Sequence, residues 1–241
     1  ETFKAFEKYQ NKSYSVAWID CFARDKNIGK CLLMTGDFRD DGNLNYKLKP
    51  QIRIPFNFPK FILNKFSIKA FNWLYYNRIR KKISIQKVDI DNFFYPLDSI
   101  VDWNKLYGKD GFLQYQFIIP KESSFEGLKE ILKAISNSGK GSFLSVLKLY
   151  GNANNNYLSF PLEGYSLAID FKMEKGLLHF LDKLDEIVLK FNGRIYLAKD
   201  ARVSKETFEK GYPKIEHFRN YRKDNNMDLK FQSLQSKRVG I

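Results

Sequence analysis

The sequence predicts an α+β fold, an antiparallel β-sheet with helices packed on one face, and three observations carry that prediction. First, residues 112–202 run in the order β-α-β-β-α-β, the order of a ferredoxin-like unit. Second, its strand segments FLQYQFIIP (112–120), FLSVLKLYG (143–151), YSLAIDF (165–171) and GRIYLAKDAR (193–202) alternate with two amphipathic helical patterns. Third, turn chemistry falls between them. Ser123 and Glu126 form an S-x-x-E pair ahead of a helix at 124–137, predicting a capping box, and Ser138-Gly139 ends it. The second helix, GLLHFLDKLDEIVLKF (176–191), stops at Asn192-Gly193, and the loop GNANNNYLSFPLE between the central strands is full of turn residues.

Upstream, SYSVAWIDCF (13–22) and GKCLLMTGDF (29–38) read as two strands joined by a polar turn around Arg24–Asn27. Pro50, Pro55 and Pro59 make 39–60 a long loop. Residues 61–81 suit a helix, apolar at 62, 66, 70 and 73–74; a strand is expected at 83–94 and a turn or short helix at 98–107. After 198, two polar helices and a frayed tail are expected.

The strands carry polar groups where plain core strands would not. Side chains alternate between faces with period two, so Lys148 shares a face with Leu144, Val146 and Tyr150, and Gln114 shares one with Gln116. An ammonium among aliphatic neighbours is costly unless it is paired or reaches a ligand. Lys148 therefore either snorkels or pairs with a carboxylate such as Asp170, or it binds something. Lys199 either caps a strand end near Asp200 or lies in a pocket.

Composition narrows the classes. The 241 residues are 44% hydrophobic and 28% charged, values of a globular chain rather than a disordered one. No apolar run approaches the roughly 18–20 residues of a membrane span. His179 and His217 sit apart in helical patterns and predict surface or structural roles; no metal site is expected. Cys21 and Cys31 lie on neighbouring strands where they can face each other, with a reduced pair as the expectation. The chain opens in what reads as the end of a helix (ETFKAFEKY) with no targeting signal, so a piece of a longer protein is expected, cytoplasmic or peripheral at the inner membrane.

The net charge of +14 is unevenly placed. Residues 42–88 contain no Asp or Glu, yet hold eleven basic residues and nine aromatics. Such a stretch is either a solvated basic surface, a face for an anionic membrane, or a single-strand nucleic-acid binder. No nucleic-acid-binding motif supports the last, so nucleic acid is not the expected partner.

Separated strings in the same order, from YSVAWID (14–20) through FFYPLDSIVDWNKLYGKDGFLQYQFIIP (93–120) to YLAKDAR (196–202), resemble the FAD-linked oxidases of the vanillyl-alcohol oxidase type. The resemblance implies a substrate-binding domain at 1–192 and a segment at 193–241 that returns to an N-terminal FAD-binding domain. It implies oxidation of a sugar hydroxyl, the ribose 2′-OH of a polyprenylphosphoryl ribose, by hydride transfer to FAD. A separate short-chain reductase would then complete epimerisation to arabinose. It also implies roles: Lys199 at flavin and substrate oxygen, Tyr196 beside the flavin and on the substrate wall, and Lys148, Gln116, Val146, Tyr150, Ser166 and Trp18 on the substrate side. Ser166 and Ala168 stand where family members can carry Asn and Cys. The chain has neither G-x-G-x-x-G nor G-x-x-x-x-G-K, so FAD would be held mainly outside it, and alone it is expected to be inactive. The alternatives are an aldonolactone or alditol oxidase on a soluble sugar, or a non-catalytic basic module.

Overall fold

The chain's structure, a computed structural model, describes residues 1–42, 45–46 and 50–241. Strands β1 (Tyr14–Ile19) and β2 (Cys31–Gly36) form the expected hairpin, turned by a short 3-10 segment at Asp25–Asn27. Two short strands, β3 (Ile52–Arg53) and β4 (Ile100–Val101), pair in parallel as a separate ribbon. The β-α-β-β-α-β unit follows as β5 (Phe112–Pro120), α4 (Ser124–Ser138), β6 (Ser145–Tyr150), β7 (Gly164–Lys172), α5 (Leu177–Lys190) and β8 (Arg194–Ile195). The six-stranded sheet runs β2-β1-β6-β7-β5-β8, with each of these neighbours paired antiparallel. The hairpin thus extends a ferredoxin-like sheet at its β6 edge.

The alternation in β5 decides where the core lies. Tyr115, Phe117 and Ile119 face α4 and α5, where Ile131, Ile135, Leu181, Leu184 and Val188 are also fully or nearly fully buried. Opposite residues of β7, Leu167 and Ile169, and of β6, Leu147, complete that layer. Helix α1 (Thr2–Lys8) adds Phe6 and stacks Phe3 on Tyr165 at 3.9 Å. The helices therefore cover one face, as expected.

Beyond β8, the chain continues in the same core. Val203 and Tyr212, flanking α6 (Lys205–Gly211), together with Phe208 of α6, Ile215 of α7 (Ile215–Asp224) and Val239 of α8 (Leu234–Val239), all belong to it. Arg202 donates to Asp182 (2.6 Å) and Asp185 (2.7 Å), and Asp185 also accepts from the buried Tyr115 hydroxyl at 2.8 Å. Burial raises the Asp185 carboxyl, and the Arg202 guanidinium pulls it back down.

Four sequence expectations are corrected. No strand occupies 83–94: that stretch has no regular pairing until helix α3 (Ile90–Phe94), and Ile83 and Ile85 are exposed with no sheet edge beside them to satisfy a strand's backbone. The helix at 61–81 shortens to α2 (Lys65–Asn77), because Asn64 caps it with a capping box to Ser67. The box expected at Ser123 and Glu126 does not form. Ser123 is itself in helical backbone and its Oγ donates to Phe191 O (2.9 Å) and Pro120 O (3.3 Å), tying α4 to the end of α5. The C-terminus is not frayed: Ser233 and Ser236 cap α8, and Val239 is fully buried.

Helix α2 carries its apolar stripe outward. Its buried residues are Ile68 and Asn72, whereas Phe66 is 79% exposed, Trp73 60% and Leu74 62%. Asn72 holds the helix by donating to Asp20 Oδ1 at 2.8 Å.

The β5–β7 pairing admits no side chain at Gly164, whose added Cβ would lie 2.1 Å from Ile119 O. Gly164→Ala is expected to lower stability by about 2 kcal/mol through forced separation of the strands. Urea unfolding with an unchanged midpoint would remove this role.

Candidate functional site

The sheet face opposite α4 and α5 is built by register. Trp18, Val146, Ala168 and Gln116 lie side by side on successive strands, and the Tyr196 amide donates to Gln116 O at 2.8 Å. The next row reads Lys148, Ser166, Ile118 and Arg194, with Tyr150 opposite Gly164 beyond it. The row on the other side pairs Asp170 with Gln114. All eight residues singled out from the sequence thus fall on this face or, for Lys199, in the 3-10 turn Leu197–Lys199 that follows β8.

Their environments differ. Gln116 is buried and donates to Ser166 Oγ at 3.1 Å and to Tyr150 OH at 3.4 Å. Val146 is half-buried beside them. Phe160 lies over Tyr196 with ring centroids 4.4 Å apart and meets Tyr150 edge-on, so the loop before β7 forms one rim. Trp18 is buried, its indole N–H donating to Phe143 O at 2.9 Å and its ring 4.8 Å from Tyr75 of α2. It supports the face from its edge. Cys21 and Cys31 are free and turn apart: Cys21 exchanges hydrogen bonds with the backbone of Ser142, while Cys31 meets Thr2 Oγ1 at 3.4 Å. Burial pushes the Cys21 thiol up to about 11. His179 and His217 are exposed, the latter against Tyr157.

Lys148 and Lys199 are both exposed, and neither forms an ion pair with any described residue. Lys148 stands opposite Ser166, not beside a carboxylate. Lys199 does not cap at Asp200, whose carboxylate is taken by Arg238 (2.8 Å) and by the amides of Arg202 and Val203. Two cations on an otherwise half-buried polar face are a place for an oxygen-rich or anionic ligand. Clefts of about 530 Å³ along 155–159 and about 410 Å³ around Arg194 lie elsewhere; neither is lined by Lys148, Gln116 or Lys199.

Sequence reasoning weighed Asp170 only as an ion-pair partner for Lys148 and passed over Tyr107. Asp170 is 1% exposed; its Oδ1 accepts from Gln114 Nε2 at 2.7 Å, and its Oδ2 has no partner among the described residues. Burial pushes its carboxyl from 3.8 up to about 6, against the pull of the Gln114 amide and the nearby Lys199 charge. Tyr107, in the 3-10 turn Trp103–Tyr107, also keeps a buried hydroxyl without a partner, raised by burial and then by Asp170. Orphaned acceptors of this kind cost about 1–3 kcal/mol each. The parity of YSLAIDF already placed Asp170 on the face of Ser166 and Ala168; nothing in NKLYG pointed to Tyr107.

Because the folded value of Asp170 lies above the unfolded one, the folded state holds the extra proton between about pH 4 and 6, and stability falls as pH rises through that window. The full difference is about 3 kcal/mol. Asp170→Asn should lack this loss, so the gap between the two proteins' urea midpoints should move in the variant's favour from pH 4 to pH 7.5. Parallel curves would show that the carboxylate is not desolvated.

No family model matches the chain. It is 36% identical over 243 aligned residues to decaprenylphosphoryl-β-D-ribose oxidase of Mycolicibacterium smegmatis, covering 96% of this chain and 52% of that protein. It is 31% identical over 115 residues to an uncharacterized protein in the mprA 5′ region of Streptomyces coelicolor, covering 47% of this chain and 31% of that one. The chain spans about half the length of the first of these, and less of the second. It is thus a relative of decaprenylphosphoryl-β-D-ribose oxidase, matched along nearly all of its own length to about half of that protein.

Proposed function

We propose that this chain is the substrate-binding part of an FAD-dependent oxidoreductase that oxidises a sugar hydroxyl, the ribose 2′-OH of a polyprenylphosphoryl ribose. The observation that carries this reading is the gathering of Lys148, Gln116 and Tyr196 on the sheet face opposite α4 and α5, with Lys199 in the turn that follows β8, in a chain related to an oxidase of such a sugar. The face fits one wall of a flavin site and not a complete one. It offers cations and hydroxyl-binding groups, while the chain holds no glycine-rich phosphate cradle. We assign residues 1–192 to substrate binding and 193–241 to the segment returning towards a flavin domain.

FAD supplies the hydride-accepting ring when bound. The chain's own residues orient the sugar and steady charge. Lys199, exposed and unpaired, stabilises negative charge developing on the reacting oxygen. Lys148 binds substrate oxygens from β6, and the Gln116 amide, fixed by Ser166 and Tyr150, orients a hydroxyl. Tyr196, Val146 and Phe160 exclude water along the rim. A separate short-chain reductase is the partner that would finish epimerisation.

In the complete flavin-containing protein, Lys199→Ala is expected to slow flavin reduction by polyprenylphosphoryl ribose at least about a hundredfold. Lys148→Ala should raise KM about tenfold with little change in kcat. Stopped-flow bleaching of the flavin reads both. Normal turnover in both variants would refute the site, and bleaching by a free aldonolactone alone would move the substrate to a soluble sugar.

The outward stripe of α2 supports a membrane-surface partner. Phe66, Trp73 and Leu74 are exposed on a helix that also presents Lys65, Lys69 and Arg78 within the acid-free stretch. Lys47 and Lys49 of that stretch lie outside the described residues. Each cation near an anionic leaflet contributes about 1 kcal/mol. No helix among the described residues is long and apolar enough to cross a membrane, so contact would be at the surface. The protein should float with liposomes containing phosphatidylglycerol and not with neutral ones, and Phe66→Ser/Trp73→Ser should abolish flotation. Equal recovery of wild type and variant would remove α2 from the contact.

A further inference from the structure

The Lys199 ammonium forms no ion pair with any described residue, so its place is set by the turn that carries it. That turn is tied at three points. Ahead of it, the Tyr196 amide donates to Gln116 O of β5 at 2.8 Å, joining the turn to the sheet. Within it, Leu197 O accepts from Gln235 Nε2 of α8 at 2.7 Å. Just after it, the Asp200 side chain, 3% exposed, accepts from the amides of Arg202 and Val203 and from Arg238 of α8 at 2.8 Å. Arg238 places a second nitrogen on Val203 O at 3.0 Å. Gln235 and Arg238 stand three residues apart and so share one face of α8. The helix does not need these contacts to stay docked. Ser236 and Val239 are buried, Ser233 and Ser236 cap it, and Arg219 Nε donates to Gly240 O at 2.8 Å.

We propose that Gln235 and Arg238 of α8 are positioning residues for Lys199, a two-point clamp that fixes the Leu197–Lys199 turn and with it the root of the ammonium. This rests on the oxidase reading for its purpose, but the clamp itself does not. A lysine side chain is long and loses its aim if its backbone drifts, and a misplacement of about 1 Å can cost about a hundredfold in rate. The two contacts constrain different things. The Gln235 amide holds a carbonyl inside the turn, while the planar Arg238 fork joins the Asp200 carboxylate to Val203 O and fixes where the chain leaves. Asp200, engaged by three donors, is not drawn onto its neighbour Lys199, whose protons remain for a ligand oxygen. Lys148 and Gln116 lie on β6 and β5, outside the clamped turn, so loosening it should reach kcat and leave substrate binding nearly intact.

The test uses the complete flavin-containing protein. Arg238→Ala is expected to slow flavin reduction by saturating polyprenylphosphoryl ribose about tenfold or more, with KM changed less than about twofold. Added guanidinium should restore part of that rate by refilling the space between Asp200 and Val203 O. The decisive arm is Lys199→Ala/Arg238→Ala: with no ammonium left to place, the second change should cost less than about twofold beyond the first. A further loss of about tenfold there overturns the proposal, as does a wild-type rate in Arg238→Ala. Gln235→Glu, which removes the donor to Leu197 O at nearly constant size, carries the same test if Arg238→Ala does not fold. Hydrogen exchange reads the clamp without substrate. Amides of 197–203 should exchange about tenfold faster in Arg238→Ala, and those of β5 at the wild-type rate. Unchanged exchange across 197–203 also overturns the proposal. Faster exchange there in a protein that no sugar reduces would refute the proposed function while leaving the clamp standing.

Discussion

The register between β5 and β7 is the constraint on which everything else depends. Nine successive residues of each strand are matched, from Phe112 opposite Lys172 to Pro120 opposite Gly164. A slip of one residue would send Gln114, Gln116 and Asp170 into the layer against α4 and α5 and turn Tyr115 and Phe117 outward. Both faces resist that slip. On the helix side, Tyr115 is bound to Asp185, itself bound to Arg202. On the other side, Gln114 meets Asp170 and Gln116 meets Ser166 across the two strands. The bare backbone of Gly164 against Ile119 fixes the end of the ladder. Register is specified by packing on one face and by hydrogen bonds on the other.

That division has an energetic consequence. The helix-side face gains from area removed from water, with Ile119, Ile131, Ile135, Leu181 and Phe117 fully buried in it. The polar face gains little of this and bears costs: a carboxylate out of water, the Tyr107 hydroxyl without a partner nearby, and cations that pair with no described residue. A strand built only for stability would replace Gln114, Gln116 and Asp170 with aliphatics at small cost. Their retention concentrates unfavourable terms where a ligand would offset them, which is the ordinary physical signature of a binding surface.

The central unit was legible because each of its elements obeys a local rule that the tertiary structure reinforces. Alternation in FLQYQFIIP and YSLAIDF, the helical period of 176–191 and the glycine stop at Gly139 all point the same way, and β5 to α5 follow them. The errors lie where local and tertiary demands part. Ser123-x-x-Glu126 has the spacing of a capping box, yet the hydroxyl is taken by Phe191 from a distant helix end, which no local rule anticipates. Residues 83–94 have strand-like composition but no neighbouring edge to pair with. Of the site, parity placed Lys148, Val146, Gln116 and Ser166 on one face, but the resemblance and not periodicity brought in Lys199. Asp170 was visible as a residue and not as a site, because burial and an empty acceptor are properties of the folded chain alone.

Helix α2 joins the two surfaces the fold leaves unpartnered. Its stripe of 66, 70, 73 and 74 has core-like spacing, yet only Ile68 and Asn72 are buried. Tyr75, on its inner side, lies against Trp18, which stands opposite Val146 and one strand from Ala168. A ligand with its sugar on the Lys148 and Gln116 rows would therefore meet α2 at the Trp18 edge of the sheet. In the proposed reading this is the arrangement that a lipid-linked sugar requires. The polar head must reach hydrogen-bonding groups of a sheet, while an apolar polyprenyl tail favours a bilayer. An inward stripe on α2 would stabilise the domain more. Turned outward and flanked by Lys65 and Lys69, it gives up that stability at the one edge where head and tail would have to separate.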